Sequence, residues 1–63
     1  MANELQIKPL LRYEVFLRDS TIDVFTADCH VTDDEITKFY RTGNVIREYH
    51  GVIDKVMVTP ANA

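Results

Sequence analysis

The sequence contains no tryptophan, one cysteine, two glycines and two prolines among 63 residues. Small secreted domains usually carry several disulfides, so the lone Cys29 indicates a reducing compartment, and we expect a cytoplasmic protein. Gly43 and Gly51 are too few and too far apart to form a glycine-rich phosphate-binding loop. No apolar run approaches the roughly 20 residues that span a bilayer, so we expect neither a membrane segment nor a signal peptide.

The chain also lacks a large excess of charge of either sign. Seven basic and ten acidic residues give a formal net charge of −3. A protein that binds nucleic acid through its phosphates needs a basic face, so general nucleic-acid binding is not expected. A hydrophobic share of 46% is ordinary for a globular domain and too high for a disordered chain. A chain of this length forms one small domain with a marginal core.

The clearest pattern lies in residues 12–27, which read RYEVFLRDSTIDVFTA. Two runs of alternating apolar residues, rich in β-branched and aromatic types, flank Asp19-Ser20 and predict a hairpin. If Asp19-Ser20 is the loop, the cross-strand pairs are Leu17–Ile22, Val15–Val24 and Tyr13–Thr26. This register places Phe16 and Phe25 on the second face of the hairpin. A hairpin that is apolar on both faces needs two layers to cover it.

The rest of the chain reads as further strands, with one ambiguous stretch. The second strand runs from Thr21 toward Val31, with a bulge near Asp28 where the apolar parity changes. Thr32 and Glu35 have the spacing of a capping box, which favours a helix over 32–42. The alternative is a turn at Asp33-Asp34 followed by a strand over Ile36–Arg41.

The C-terminal half continues with two more strands. Thr42-Gly43-Asn44 predicts a three-residue turn that pairs Arg41 with Val45. The next strand covers Val45–Tyr49, and His50-Gly51 ends it. The last strand covers Val52–Thr59.

A recurring spacing of aromatic and apolar residues extends from Tyr13 to Val58. Its parts are Tyr13-x-Val15-x-Leu17-x-Asp19, Ala27-Asp28, Phe39-Tyr40, Val45-Ile46, Tyr49 and Val56. This pattern resembles a loose group of very small proteins encoded by phages and prophages, most of which lack an assigned function. The chain departs from that group at Ser20, where a turn glycine is common. The resemblance supplies no catalytic residues, and it implies that Ile36–Arg41 is a strand.

We therefore predict an all-β fold of about five antiparallel strands in a meander that forms a small barrel or sandwich. The alternative is an α+β fold with one helix at 32–42. Residues 10–60 form the single domain, residues 1–9 a flexible N-terminal arm, and residues 61–63 a frayed C-terminus.

Candidate catalytic and metal-binding groups are few. Cys29 belongs to an apolar set with Phe25, Ala27 and Val31, so we expect a buried, inert thiol. His30 and His50 could form a metal pair, but a zinc site needs three or four ligands. The acidic run 33–35 lacks the alternating ligands of a calcium loop. We predict no catalytic residue, no metal and no cofactor, and therefore a protein that is not an enzyme.

The small size of the chain and the apolar second face of the hairpin together predict self-association, as a dimer. We expect a non-enzymatic protein-interaction module, of the phage accessory type, with an unidentified host or viral protein as its partner. The predicted interface consists of Phe16, Phe25, Tyr13, Tyr40 and Tyr49. The alternative function is a small barrel that binds single-stranded nucleic acid by stacking bases on the three tyrosines.

Overall fold

The computed structural model describes residues 10–61, whose regular structure consists of six β-strands and no helix. The strands are β1 (Leu11–Leu17), β2 (Ile22–Ala27), β3 (Cys29–Asp33), β4 (Ile36–Arg41), β5 (Asn44–His50) and β6 (Ile53–Pro60). The all-β prediction is confirmed. The segment with capping-box spacing forms β3, a tight turn and β4, so the alternative helix over 32–42 is wrong.

The strands form two antiparallel three-stranded sheets that do not close into a barrel, which fits a small sandwich. Sheet I has the order β2-β1-β6, and sheet II has the order β3-β4-β5. Sheet II is a simple meander. In sheet I the last strand returns to pair with β1, so the predicted meander does not extend through the whole chain.

The strand count is six because the predicted second strand divides at Asp28. The Asp28 backbone N–H donates to the Tyr40 carbonyl at 2.8 Å, and its carboxylate accepts from the Thr42 backbone N–H at 2.8 Å. These two bonds fix a corner at which the chain leaves sheet I and enters sheet II. The expected bulge near Asp28 is therefore a change of sheet.

The hairpin of β1 and β2 has a register one residue away from the predicted one. Its pairs include Phe16–Ile22, Val15–Asp23, Tyr13–Phe25 and Leu11–Ala27. The Ser20 N–H donates to the Leu17 carbonyl at 3.0 Å, and Ser20 has a φ of 76°. The loop is therefore Arg18-Asp19-Ser20, a three-residue loop that ends in a left-handed residue.

The extra loop residue reverses the two faces of β2, because side chains alternate along a strand. Phe25 turns inward, where its ring lies 5.9 Å from that of Tyr13, so the prediction that it shares the second face with Phe16 is wrong. Ile22 and Val24 turn outward and are exposed.

The core lies between the two sheets and is built from aromatic rings. Its buried apolar residues are Tyr13, Val15, Ala27, Phe39 and Tyr49. Phe39 of β4 meets Tyr13 and Phe25 edge-on, with centroid distances of 4.8 Å and 4.9 Å. Edge-to-face contacts of this kind stabilise aromatic pairs beyond the area they bury. Two aromatic residues of sheet I thus pack against the centre of sheet II.

Both hairpins of sheet II close with two-residue loops. Asp34 and Glu35 have φ angles of 54° and 67°, and Thr42 and Gly43 have 50° and 83°. Two consecutive left-handed residues are the mark of a type I′ turn. Arg41 consequently pairs with Asn44, so the predicted three-residue loop is wrong.

The last described residue is tied to the first strand, because the Ala61 N–H donates to the Leu10 carbonyl at 2.9 Å. The predicted N-terminal arm over 1–9, and the predicted frayed C-terminus over 61–63 with the exception of Ala61, lie outside the described residues. Within 10–61 there is no helix that could serve as a membrane span.

Candidate functional site

The face of sheet I that points away from sheet II is rich in exposed apolar side chains. Ile22, Val24 and Met57 have exposed fractions of 53%, 51% and 47%, and Phe16 lies half-buried among them. We call this surface the outer face of sheet I. The cross-strand pairs give it three rows, which are Ile22–Phe16–Lys55, Val24–Glu14–Met57 and Thr26–Arg12–Thr59.

Each of the three rows of this surface also contains one charged residue. The Lys55 ammonium lies 5.0 Å from the centre of the Phe16 ring, which is a cation–π contact. The Arg12 guanidinium donates to the Glu14 carboxylate at 2.8 Å. Ile22, Phe16 and Val24 therefore adjoin one another toward the β1–β2 loop, with Lys55 beside them, and Glu14 separates Val24 from Met57.

The structure separates the five residues predicted for the interface. Tyr13 and Tyr49 are buried and Phe25 packs between the sheets, so these three are core residues. Phe16 lies on the outer face of sheet I. Tyr40 lies on the outer face of sheet II, half-buried and paired with the exposed Val45.

Sequence reasoning missed Ile22 and Val24 as surface residues because it assumed a two-residue loop at Asp19-Ser20. Such loops need left-handed conformations at both positions and strongly prefer a glycine at the second. The absence of glycine after Asp19 was the signal for a longer loop. The Asp19 carboxylate instead accepts from the Thr21 backbone N–H at 3.0 Å and from its hydroxyl at 2.6 Å. These bonds lower the pKa of Asp19, the hydroxyl bond being the larger cause.

The observed register of β2 places the carboxylate of Asp23 on the inner face of sheet I, where Asp23 pairs with Val15. The Tyr49 hydroxyl of β5 donates to Asp23 Oδ2 at 2.7 Å. Burial raises the pKa of Tyr49 to about 12, and the bond to Asp23 adds to the rise. The Arg47 guanidinium lies 5.0 Å from the Phe25 ring beside this pair. Asp23 thus has a hydrogen-bond donor in sheet II, which makes its inward position tolerable.

A cleft of about 350 Å³ opens between the sheets on the side of β3 and β6. It is lined by Arg18, His30, Thr32, Glu35, Thr37, Gly51, Ile53 and Val56. The His30 ring stacks on Phe39 at 5.4 Å, and its Nδ1 lies 3.0 Å from the Tyr13 hydroxyl. These two contacts hold the imidazole in place on the cleft wall. Burial raises the pKa of the Tyr13 hydroxyl, and the nearby thiol of Cys29 is a further cause.

Cys29 and the two histidines do not form a common site. Cys29 is exposed, so the prediction of a buried thiol is wrong; as the first residue after the corner at Asp28 it faces out of sheet II. His30 pairs with the inward Phe39, whereas His50 pairs with Ile36 on the opposite face and contacts Glu48 at 2.6 Å. Across residues 10–61, no three potential ligands lie close enough to hold a metal ion.

Comparison of the chain with protein-family models, with curated proteins and with solved structures finds no match in any of the three. The resemblance to small phage and prophage proteins stays a prediction.

Proposed function

We propose that this protein is a non-enzymatic protein-interaction module, that the outer face of sheet I is its docking surface, and that a second copy of the chain occupies it as a dimer. The observation that carries the proposal is the cluster of Phe16, Ile22, Val24 and Met57, three of which are about half exposed. Contiguous apolar residues on a small monomer mark interaction sites. Lys55 beside Phe16, and Glu14 between Val24 and Met57, supply polar groups at the edge of and within this cluster.

The size of the surface sets the strength of the association. Three strands about 4.8 Å apart and about 24 Å long present a face of roughly 300 Å². Stable interfaces bury about 800 Å² on each partner, so this dimer is weak and exchanges with monomer at high micromolar or greater concentrations. A two-fold packing brings the surface against itself, and the presence of Lys55 and Glu14 on one face lets unlike charges lie opposite each other.

The same surface suits an unlike protein partner, and the resemblance to phage accessory proteins favours a host or viral one. The exposed, unpaired thiol of Cys29 is compatible with a reducing compartment, which supports a cytoplasmic location. The nucleic-acid alternative has less support. Of its three tyrosines, Tyr13 and Tyr49 are buried, which leaves Tyr40 to stack on a base.

The experiment is sedimentation equilibrium from micromolar to millimolar concentrations, with two matched variants. Val24→Asp places a charge on the outer face of sheet I, and Val31→Asp places the same charge at a site of nearly equal exposure on the outer face of sheet II, 51% against 54%. We expect wild type and Val31→Asp to dimerise with similar constants. Val24→Asp should weaken the dimer about tenfold or more, because a buried, unpaired carboxylate is costly.

Three results would refute this assignment. A wild type that stays monomeric throughout the range removes the second copy as occupant. Dissociation by Val31→Asp, with no effect of Val24→Asp, moves the interface to sheet II. Equal weakening by both variants points to a general effect of added charge. Circular dichroism of both variants verifies that each remains folded.

A further inference from the structure

The cleft between the sheets is separate from the docking surface, since it opens between β3 and β6 on the inner side of sheet I. Its volume of about 350 Å³ falls at the lower end of the range of small-molecule sites. Ile53 and Val56 of β6 form an apolar wall, and β3 and β4 form a polar wall opposite. A ligand that fits this cleft is small and has one apolar side.

The polar wall is preorganised and retains unused hydrogen-bonding capacity. Thr37 is 7% exposed, and its hydroxyl lies 2.9 Å from that of Thr32. Each hydroxyl offers one donor and two acceptor positions, so the pair has capacity beyond this single bond. The His30 ring is fixed through Nδ1, and its Nε2 forms no hydrogen bond with any residue in 10–61.

Two residues of opposite charge, Arg18 and Glu35, line the cleft, and a hydrogen bond holds the backbone of each in place. The Arg18 N–H donates to the Val52 carbonyl at 2.9 Å, and the Glu35 carbonyl accepts from the Gly51 N–H at 2.8 Å. Gly51 has a φ of 68°, a left-handed conformation that favours glycine, and it lies next to the Glu35 carboxylate. The ion pairs found within 10–61 are Arg12–Glu14 and His50–Glu48, so neither Arg18 nor Glu35 is neutralised by a described residue.

We propose that the cleft binds a small zwitterion with an apolar side chain, of the chemical class of an aliphatic α-amino acid. Its carboxylate lies at Arg18, within reach of His30 and the threonine hydroxyls. Its ammonium group lies at Glu35, and its side chain contacts Ile53 and Val56. Arg18 and Glu35 are exposed at the cleft, so a zwitterion gains a charge-assisted contact at each of them, whereas a ligand with a single charge gains one.

The test is a titration followed by amide chemical shifts, with L-leucine as the probe. For a ligand this small we expect a dissociation constant on the order of 1 mM, with shifts at Thr32, Thr37, Gly51 and Ile53. N-acetyl-L-leucine lacks the ammonium and L-leucinamide lacks the carboxylate, so each should bind about tenfold more weakly. Arg18→Gln and Glu35→Gln should each weaken leucine binding about tenfold, and Arg12→Gln, an exposed arginine on the outer face of sheet I, should leave it unchanged.

The variants also discriminate between the two ends of the ligand. Arg18→Gln should leave residual leucinamide binding unaffected, and Glu35→Gln should leave residual N-acetyl-leucine binding unaffected. Absence of saturable shifts up to tens of millimolar, or equal affinity for all three compounds, would overturn the proposal. Val24→Asp should bind leucine as the wild type does, so loss of the dimer and loss of this site are separate results.

Discussion

At the scale of single residues, the hydrogen bond from Tyr49 to Asp23 explains how a carboxylate can lie on the inner face of β2. The two residues belong to different sheets, and their oxygens are 2.7 Å apart. A sequence pattern counts Asp23 as a surface residue, because an isolated carboxylate in a core is costly. Its donor lies 26 residues away, so local alternation could not have revealed the pair.

The raised pKa of Tyr49 predicts a loss of stability at high pH. With a folded-state pKa of about 12 against about 10 when unfolded, Tyr49 holds its proton more tightly in the folded protein. Its contribution to the free energy of unfolding is therefore complete below pH 10 and declines as the pH rises toward 12. Chemical denaturation at a series of pH values should show this decline in the wild type.

Tyr49→Phe is the matched variant for this prediction, since it removes the ionisable hydroxyl and keeps the ring. It should be less stable near neutral pH, because Asp23 loses its donor, and its stability should fall less steeply above pH 10. The Tyr13 phenol, whose pKa is also raised, contributes the remaining slope. An unchanged slope in Tyr49→Phe would show that the bond to Asp23 does not control this titration.

At the scale of the elements, the turns decide which faces the strands present. The alternation of residues 12–27 predicted the hairpin, and the loop length decided its register. One extra loop residue, Arg18, in a loop that ends with Ser20 at φ 76°, turned Phe25 inward and Ile22 outward. A pattern of alternating apolar residues locates the strands, but it determines which residues pair across a hairpin only when the length of the loop is known. The corner at Asp28 was visible as a change of parity, although parity alone does not distinguish a bulge from a change of sheet.

The turn at Asp34-Glu35 carries strain that can be relieved. Both residues are left-handed, which costs roughly 1–2 kcal/mol for a residue with a side chain and less for aspartate than for glutamate. Replacing the pair by Asn-Gly, the favoured type I′ sequence, should raise the free energy of unfolding by about 1 kcal/mol. The gain is limited because glycine loses more backbone entropy on folding.

The turn at Thr42-Gly43 provides the matched control for this change. It already has glycine at the second position, with a φ of 83° and nothing within 4 Å of a Cβ added there. Gly43→Ala should therefore lower stability by about 1 kcal/mol through backbone strain alone. Denaturant unfolding of both variants checks the pair. A less stable Asn-Gly variant would show that the Glu35 side chain stabilises the fold by more than its backbone costs.

At the scale of the whole molecule, the two sheets cover only each other's inner faces, because six short strands form no third layer. Both outer faces keep exposed apolar residues, which are Ile22, Val24 and Met57 on sheet I and Val31 and Val45 on sheet II. The sequence predicted that a 63-residue chain leaves an apolar face uncovered, and Phe16 belongs to that face. The other members, Ile22 and Val24, were missed because the predicted loop is one residue too short, and Tyr13, Phe25 and Tyr49 look like surface aromatics until the second sheet is placed over them.

The central claim is that the outer face of sheet I, with Ile22 and Val24 turned outward, is where two copies meet. The most direct measurement is an isotope-filtered nuclear Overhauser experiment on an equal mixture of labelled and unlabelled protein at a concentration that favours the dimer. We predict intermolecular contacts that join the methyl groups of Ile22, Val24 and Met57 to the Phe16 ring. Intermolecular contacts confined to Val31 and Val45 would contradict this account, and so would a side-chain contact within one chain that pairs Val24 with Val15 on the same face of sheet I.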